Sequence, residues 1–359
     1  MKKLLVFGAI ILSACSTAPK KTYSNPLDVA FGDPYVIKAS DGQYYMYGTT
    51  NDNGFRAYVS DNMIDWSDCG LVYEKTNDSW GVDCFWAPEV YERDGKFYMF
   101  FSANWKENPE TELEMFRIGI AEADSPTGPF KEMSDKPLWD PGYPVIDGNL
   151  LFDDDGRVFL YYSRCCYKNP VESEVAQWAR AEGLFNEIEE SWVYVVELST
   201  QLDRVISEPV LVLSPPKTMN DPQSEWESRS VTQKEVNRRW TEGSFILKQD
   251  GLYYLMYSAN YFGGAHYAVG YATATSPLGP FTKASNNPVL QKNIASGGNV
   301  TGTGHNSVVT LDNGNRYCVY HGRTTETGDQ RVVFIDKMDI RNGVLTIDGP
   351  TTSAIAIPE

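Results

Sequence analysis

Three carboxylic acids, an indole and an imidazole occupy one equivalent position of a fivefold repeat. Asp33, Trp86, Asp147, Glu242 and His305 each lie nine residues before a glycine, respectively Gly42, Gly95, Gly156, Gly251 and Gly314. Three residues after each glycine stands an aromatic: Tyr45, Tyr98, Phe159, Tyr254 and Tyr317. Acids crowded into one site push their pKa values apart, so that one stays protonated while another stays ionised at the same pH. Hydrolysis of a glycosidic bond uses such a pair. In an inverting enzyme the two carboxyls stand roughly 6.5–9.5 Å apart, which admits a water. Opposite sides of a ring provide that separation, and neighbours on one strand do not. Trp86 and the adjacent Phe85 offer aromatic faces to the C–H surface of a sugar.

Each residue also has a plainer reading. Asp33 precedes Pro34 and Asp147 precedes Gly148, both common turn pairs. Glu242 follows the polar run QKEVNRRWT and could be a solvated charge. Phe85 and Trp86 could be core, and a lone His such as His305 is usually structural. The shared repeat position argues against taking these readings one by one.

The repeat dictates the elements that must position these groups. Each unit reads as strand, Asp-Gly or Asn-Gly turn, strand, with flanks rich in Val, Ile, Phe and Tyr. The second runs (YYLMY, FYMFF, VFLYY) are nearly continuous and apolar, as in strands covered on both faces. The unit spacing, from about fifty to about ninety-five residues, suits four strands per unit with loop insertions. Further strand-like runs fill the gaps: Phe55 to Trp66, Arg117 to Phe130 and Ala268 to Phe281. Radial repetition of four-stranded sheets is a β-propeller. The expected fold is therefore all-β: a single-domain, five-bladed propeller over residues 25–359, with the five variable residues around one mouth of its channel. A β-sandwich is the alternative, but it does not account for the glycine-to-aromatic spacing. The long interval from Cys165 to Thr241 carries a helix-like insertion, VESEVAQWARAEGLF, of the kind that shapes subsites beside such a mouth.

The net charge of −17 argues against nucleic acid or an anionic membrane as partner and fits a neutral ligand. Lys2 and Lys3 followed by the apolar stretch Leu4 to Leu12 form an export signal. Leu12-Ser13-Ala14-Cys15 resembles a bacterial lipobox, so residues 1–15 read as a signal peptide ending at a lipidated Cys15, and residues 16–24 as a flexible tether. An ordinary secretory signal is the alternative. The expected address is the periplasm or the outer membrane, with membrane contact only through the lipid, and the expected state is a monomer. Cys69, Cys84, Cys165, Cys166 and Cys318 are an odd set, so they cannot all pair. Cys69 with Cys84 is a possible bridge, no spacing suggests zinc, and most of the five read as buried small apolar residues.

Five motifs in order resemble those of family-43 glycoside hydrolases: Asp33-Pro34, Trp86 to Glu89 (WAPE), Ile146-Asp147, Glu242-Gly243 and Gly304 to Ser307 (GHNS). The resemblance covers essentially everything after the tether. It implies a five-bladed propeller acting by inversion on arabinose- and xylose-containing polysaccharides. It implies Asp33 as general base, Glu242 as general acid and Asp147 as the group that orients Glu242 and raises its pKa. It further implies a channel position for His305, near water or a structural calcium, with no cofactor required. Arg323, in His321-Gly322-Arg323, would hydrogen-bond sugar hydroxyls; a surface salt bridge is its plainer reading. Glu89 would be structural. The expected activity is release of terminal α-L-arabinofuranosyl units from arabinan, arabinoxylan or arabinogalactan. A β-xylosidase, an endo-arabinanase and a non-catalytic carbohydrate-binding propeller are the rivals. Sucrose- and fructan-acting relatives fit less well, because Phe31 to Tyr35 departs from their Asn-Asp-Pro-Asn stretch.

Overall fold

Turn chemistry starts each sheet. Asp94-Gly95 and Asp250-Gly251 hold positive φ at both turn residues, 52° and 76° in one and 52° and 77° in the other. That geometry matches the twist of antiparallel hairpins. The strands that follow are buried along their length, as in Tyr44–Thr49 and nearly all of Leu252–Ala259. The computed structural model describes residues 21–50, 53–108, 115–183, 186–228 and 236–358.

Five four-stranded antiparallel sheets follow one another along the chain. From the inside outward, the first blade runs Gly32–Lys38, Tyr44–Thr49, Gly54–Ser60, Ser67–Glu74, and the second Trp86–Arg93, Lys96–Asn104, Phe116–Ala123, Lys131–Glu132. The third runs Val145–Phe152, Val158–Arg164, Trp192–Leu198, Val210–Leu213. The fourth runs Thr241–Gln249, Leu252–Ala259, Ala268–Ala274, Thr282–Lys283, and the fifth Val300–Thr310, Arg316–Thr324, Val332–Arg341, Val344–Ile347. The innermost strands of successive blades adjoin, fifth to first included. The fold is thus the expected five-bladed β-propeller.

The core lies between blades. One apolar cluster joins Tyr47, Phe55 and Tyr73 of the first blade to Val90, Met99 and Phe101 of the second. Others bridge the second to the third, the third to the fourth and the fourth to the fifth. The chain ends close the circle. Thr22–Tyr23 pairs antiparallel with Ile355–Ala356. Tyr23 donates its hydroxyl to Ile335 O at 2.8 Å, and Leu27 donates its amide to Val333 O at 2.8 Å. Thr22 and Tyr23, which the sequence places in a flexible tether over 16–24, are therefore fixed in a strand. The correction has a simple cause: the Tyr23 ring is buried against the fifth blade. The expected signal segment and Cys15 lie outside the described residues.

The insertion of the third blade holds the predicted helix, Glu174–Ala181, capped by Ser173 Oγ on the Ala176 amide at 3.1 Å. It continues into a strand, Glu187–Glu190, parallel to Val236–Arg239. That pairing is sealed by the Glu190–Arg239 ion pair, 2.8 Å long and fully buried on both sides. It fixes the chain immediately ahead of Glu242. No disulfide joins any of the five described cysteines, so the possible Cys69–Cys84 bridge is not formed. Among the described residues no helix is long and apolar enough to cross a membrane.

Candidate active site

Every innermost strand breaks register at the same level. The irregularities fall between Gly32 and Tyr35, Trp86 and Glu89, Ile146 and Asn149, Glu242 and Phe245, and Thr301 and Ser307. The first four each contain one residue in the left-handed region, Asp33 at 55°, Ala87 at 46°, Asp147 at 59° and Gly243 at 59°, and the fifth contains His305 at 50° with Gly302 at 62° ahead of it. Asp and His visit this region more readily than most residues. Such bulges re-aim side chains where a sheet meets a site. In the first, third and fifth blades the left-handed residue is the one at the repeat position. In the second and fourth it comes one residue later, after Trp86 and Glu242.

A second repeat position holds these bulges. Seven residues after each turn glycine stand Thr49, Ser102, Ser163, Ser258 and His321. Thr49 Oγ1 accepts the Ala87 amide at 2.8 Å, Ser102 Oγ the Asp147 amide at 3.0 Å, and Ser258 Oγ the His305 amide at 2.7 Å. His321 Nδ1 accepts the Asp33 amide at 3.1 Å. Each blade thus clamps the bulge of the next. The third blade departs from the rule: Ser163 Oγ is buried with no partner, and the Gly243 amide goes to Asp147 Oδ2 at 3.1 Å.

The three acids meet in one buried site. Asp33 Oδ1 lies 2.9 Å from Arg331 Nη1, 3.2 Å from His305 Nδ1 and 3.3 Å from His321 Nδ1. Burial alone would raise the Asp33 pKa, but the Arg331 guanidinium and then His305 hold it well below the usual carboxylate range. Glu242 moves the other way. Burial and then the Asp147 charge push it well above its ordinary value, against the hydroxyl of Tyr267, which donates to Glu242 Oε1 at 2.9 Å. Asp147 is itself raised, by burial and by Asp33, while His305 and the Gly243 amide pull it down. His321 is held down at about 4, chiefly by burial, so its ring is neutral when it accepts the Asp33 amide. The site thus favours the ionised form of one carboxyl and the protonated form of another.

Two glycines leave room for this arrangement. A Cβ on Gly32 would sit 1.9 Å from Arg331 Cζ, and one on Gly304 would sit 2.2 Å from the Tyr267 ring. A deeper layer ties the blades below the acids. Asn149 donates to Glu89 Oε2 at 2.8 Å and accepts the Ile246 amide at 3.0 Å, while Tyr91 hydrogen-bonds Glu89. Burial raises the Glu89 pKa to about 8.

The remaining residues singled out by the sequence separate. Trp86 is half-buried, with its ring 4.6 Å from Phe116, in a cluster with Ile146, Trp240 and Tyr261. Phe85 does not reach the site. Its ring is 1 % exposed and packs on Phe55, Tyr73 and Phe101, so it offers no sugar-facing surface. Arg323 does not reach the carboxylates either: its guanidinium donates to the carbonyls of Phe262, Gly263 and Gly264. Arg331, just ahead of the strand Val332–Arg341, supplies the cation beside Asp33 instead. Sequence reasoning missed Arg331, Tyr267 and His321. Only His321 had a signal, its place seven residues after Gly314. For calcium, no group of three or more His, Cys, Asp or Glu side chains among the described residues is placed to hold a metal ion. The residues around His305 make no cage on their own, and the chemistry below uses none.

The family model for glycosyl hydrolases family 43 matches residues 23–345. A beta-D-galactofuranosidase, xynD, of Aspergillus niger is 28% identical over 349 residues, spanning 91% of this chain and 84% of that protein. A xylosidase/arabinosidase 43A of Humicola insolens is 28% identical over 250 residues, 65% of this chain and 70% of its own. The crystal structure of a thermostable family-43 glycoside hydrolase superposes with a TM-score of 0.79 at 35% identity, covering 94% of this chain and 99% of the other.

Proposed function

The chain belongs to glycosyl hydrolases family 43 and is an inverting glycoside hydrolase, and within that activity we propose that it removes terminal α-L-arabinofuranosyl units from plant polysaccharides, with Asp33 as base and Glu242 as acid. The observation that carries the assignment of roles is the opposed surroundings of two acids in one ring: Arg331 and His305 against Asp33, which favour its ionised form, and burial beside Asp147 for Glu242, which favours its protonated form. Asp33 takes a proton from a water as its oxygen attacks the anomeric carbon. Glu242 gives its proton to the departing glycosidic oxygen, and the bond breaks with inversion. Arg331, His305 and His321 all face Oδ1 of Asp33, which leaves Oδ2 to the water. Asp147 keeps Glu242 protonated through its charge and fixes the backbone next to it through the Gly243 amide. Proton exchange with solvent resets both acids. Trp86 supplies an aromatic face, and His305 borders the sugar.

A furanoside is supported by the name of one relative, a galactofuranosidase, and arabinose by that of another, a xylosidase/arabinosidase. The second of those names also favours the rival reading, a β-xylosidase. Aryl α-L-arabinofuranoside, aryl β-D-xyloside and linear arabinan separate the readings. Hydrolysis of the aryl arabinofuranoside and release of single arabinose units from the arabinan, without action on the xyloside and with proton NMR showing the inverted anomer, is the expected result; preference for the xyloside or for internal cleavage of arabinan overturns it. Under the same proposal the chain is exported and held by a lipid on Cys15, a reading supported by Lys2, Lys3 and the lipobox-like Leu12 to Cys15. Incorporation of labelled palmitate, lost in Cys15→Ser, is its test.

A further inference from the structure

One exposed aromatic side chain means nothing by itself. The surroundings of Phe262 give it meaning. Residues 260–267 join the second and third strands of the fourth blade, the blade that carries Glu242. Three sets of hydrogen bonds fix this segment. Arg323, 6 % exposed, donates from Nη1 to Gly263 O at 2.6 Å and from Nη2 to Gly264 O at 2.9 Å and Phe262 O at 3.3 Å. Asn260 Nδ2 donates to Trp226 O at 2.6 Å and His266 O at 3.0 Å. At the far end Tyr267 places its hydroxyl on Glu242. A segment held this way has little freedom left to lose when a ligand binds.

On this fixed segment the Phe262 side chain is 42 % exposed. Arg331 backs its ring, with Cζ 4.9 Å from the centroid, and the same guanidinium binds Asp33. The neighbouring Tyr261, its ring 4.9 Å from that of Phe262, belongs to the cluster that contains Trp86. Phe262 therefore stands at the outer edge of the site, touching the cation of the base, on a segment that ends at the acid. The carboxylates beneath are 9 % exposed or less.

We propose that Phe262 is the stacking platform for the sugar on the leaving-group side of the scissile bond. This rests on the exo-acting reading above, in which one terminal sugar fills the floor among the carboxylates. The leaving oxygen at Glu242 then points outward, and the next sugar meets whatever the rim presents. A phenyl ring recognises the C–H face of that sugar rather than a particular hydroxyl. It favours a sugar-bearing leaving group over a bare one while tolerating several linkages. Phe262 is in this sense a specificity residue of the reaction.

The test compares wild type, Phe262→Ala and Phe262→Tyr on α-L-arabinofuranosyl fluoride, which has no sugar beyond the scissile bond, and on a linear arabino-oligosaccharide. Fluoride hydrolysis by the wild type tests the sugar specificity. If the wild type prefers β-D-xylosyl fluoride, the same comparison is made with that fluoride and a xylo-oligosaccharide. The Ala variant should lose roughly tenfold or more in kcat/KM on the oligosaccharide beyond any loss on the fluoride. The excess should appear in KM, and Tyr should restore it. Equal losses on both substrates, or an oligosaccharide rate like that of the wild type, overturn the proposal.

Discussion

Gly243 gives its backbone amide to Asp147 Oδ2 at 3.1 Å, across the boundary between the third and fourth blades. The corresponding amides of the other four blades go to Thr49, Ser102, Ser258 and His321. One general clamp has been released, and an acid of the site has taken its place. The backbone beside Glu242 is thus held by the group whose charge keeps Glu242 protonated.

This exchange predicts opposite responses to one substitution. Ser258→Ala strands the part-buried His305 amide and should cost about 1–3 kcal/mol, seen as a lowered denaturant midpoint. Ser163→Ala removes a hydroxyl that has no partner. It should leave the midpoint unchanged or slightly raised. Equal losses at the two positions would show that the rule of one clamp per blade is wrong.

The Asp147 charge predicts a pH effect. It is the second-largest cause, after burial, of the raised Glu242 pKa. Asp147→Asn removes the repulsion, so Glu242 ionises at lower pH and the alkaline limb of the kcat/KM profile moves to the acid side. The acid limb, set by Asp33, should move much less. A profile that shifts alkaline, or an unmoved alkaline limb, contradicts the assigned roles. Asp33→Asn and Glu242→Gln should each lower kcat on the polysaccharide by about 10²–10⁴.

The same shift carries a stability consequence. The Glu242 pKa is raised in the folded chain above an unfolded value of about 4.3. Folding then binds a proton between those two values, and stability is lost as pH rises through that window. Gln has no proton to lose. Glu242→Gln should melt with wild type near pH 4 and a few degrees above it near pH 8, the gap widening with pH. This is the usual opposition between stability and activity at a site.

Gly32 predicts a switch in geometry without loss of fold. A methyl group there would collide with the end of the Arg331 side chain, which is free to swing away, rather than with backbone. Gly32→Ala should fold, and lose kcat about as much as Arg331→Ala. The double variant should be no worse than either single one. Additive losses would mean that the two residues act separately.

The architecture was legible because the physics that builds it is local. An Asp-Gly turn and a strand covered on both faces leave the same trace in every blade, and the residue nine before each glycine came with them. The left-handed residue moves on by one in the second and fourth blades, to Ala87 and Gly243, which fixed spacing from the glycine could not show. Arg331 and Tyr267 sit on connections of irregular length, so no period points to them. Their partners, Asp33 and Glu242, are 298 and 25 residues away. Phe85 and Arg323 were misjudged because aromatic and cationic side chains serve packing and loop anchoring as readily as sugars.

Asp33 belongs to the first blade, and its three cationic or imidazole neighbours all come from the fifth. The base is therefore wired across the seam where the two ends of the chain are joined. Loosening that seam would strip the carboxylate of its neighbours while the other four boundaries stayed intact. Turnover would fail before the sheets came apart, making catalysis the most sensitive gauge of whether the circle is shut.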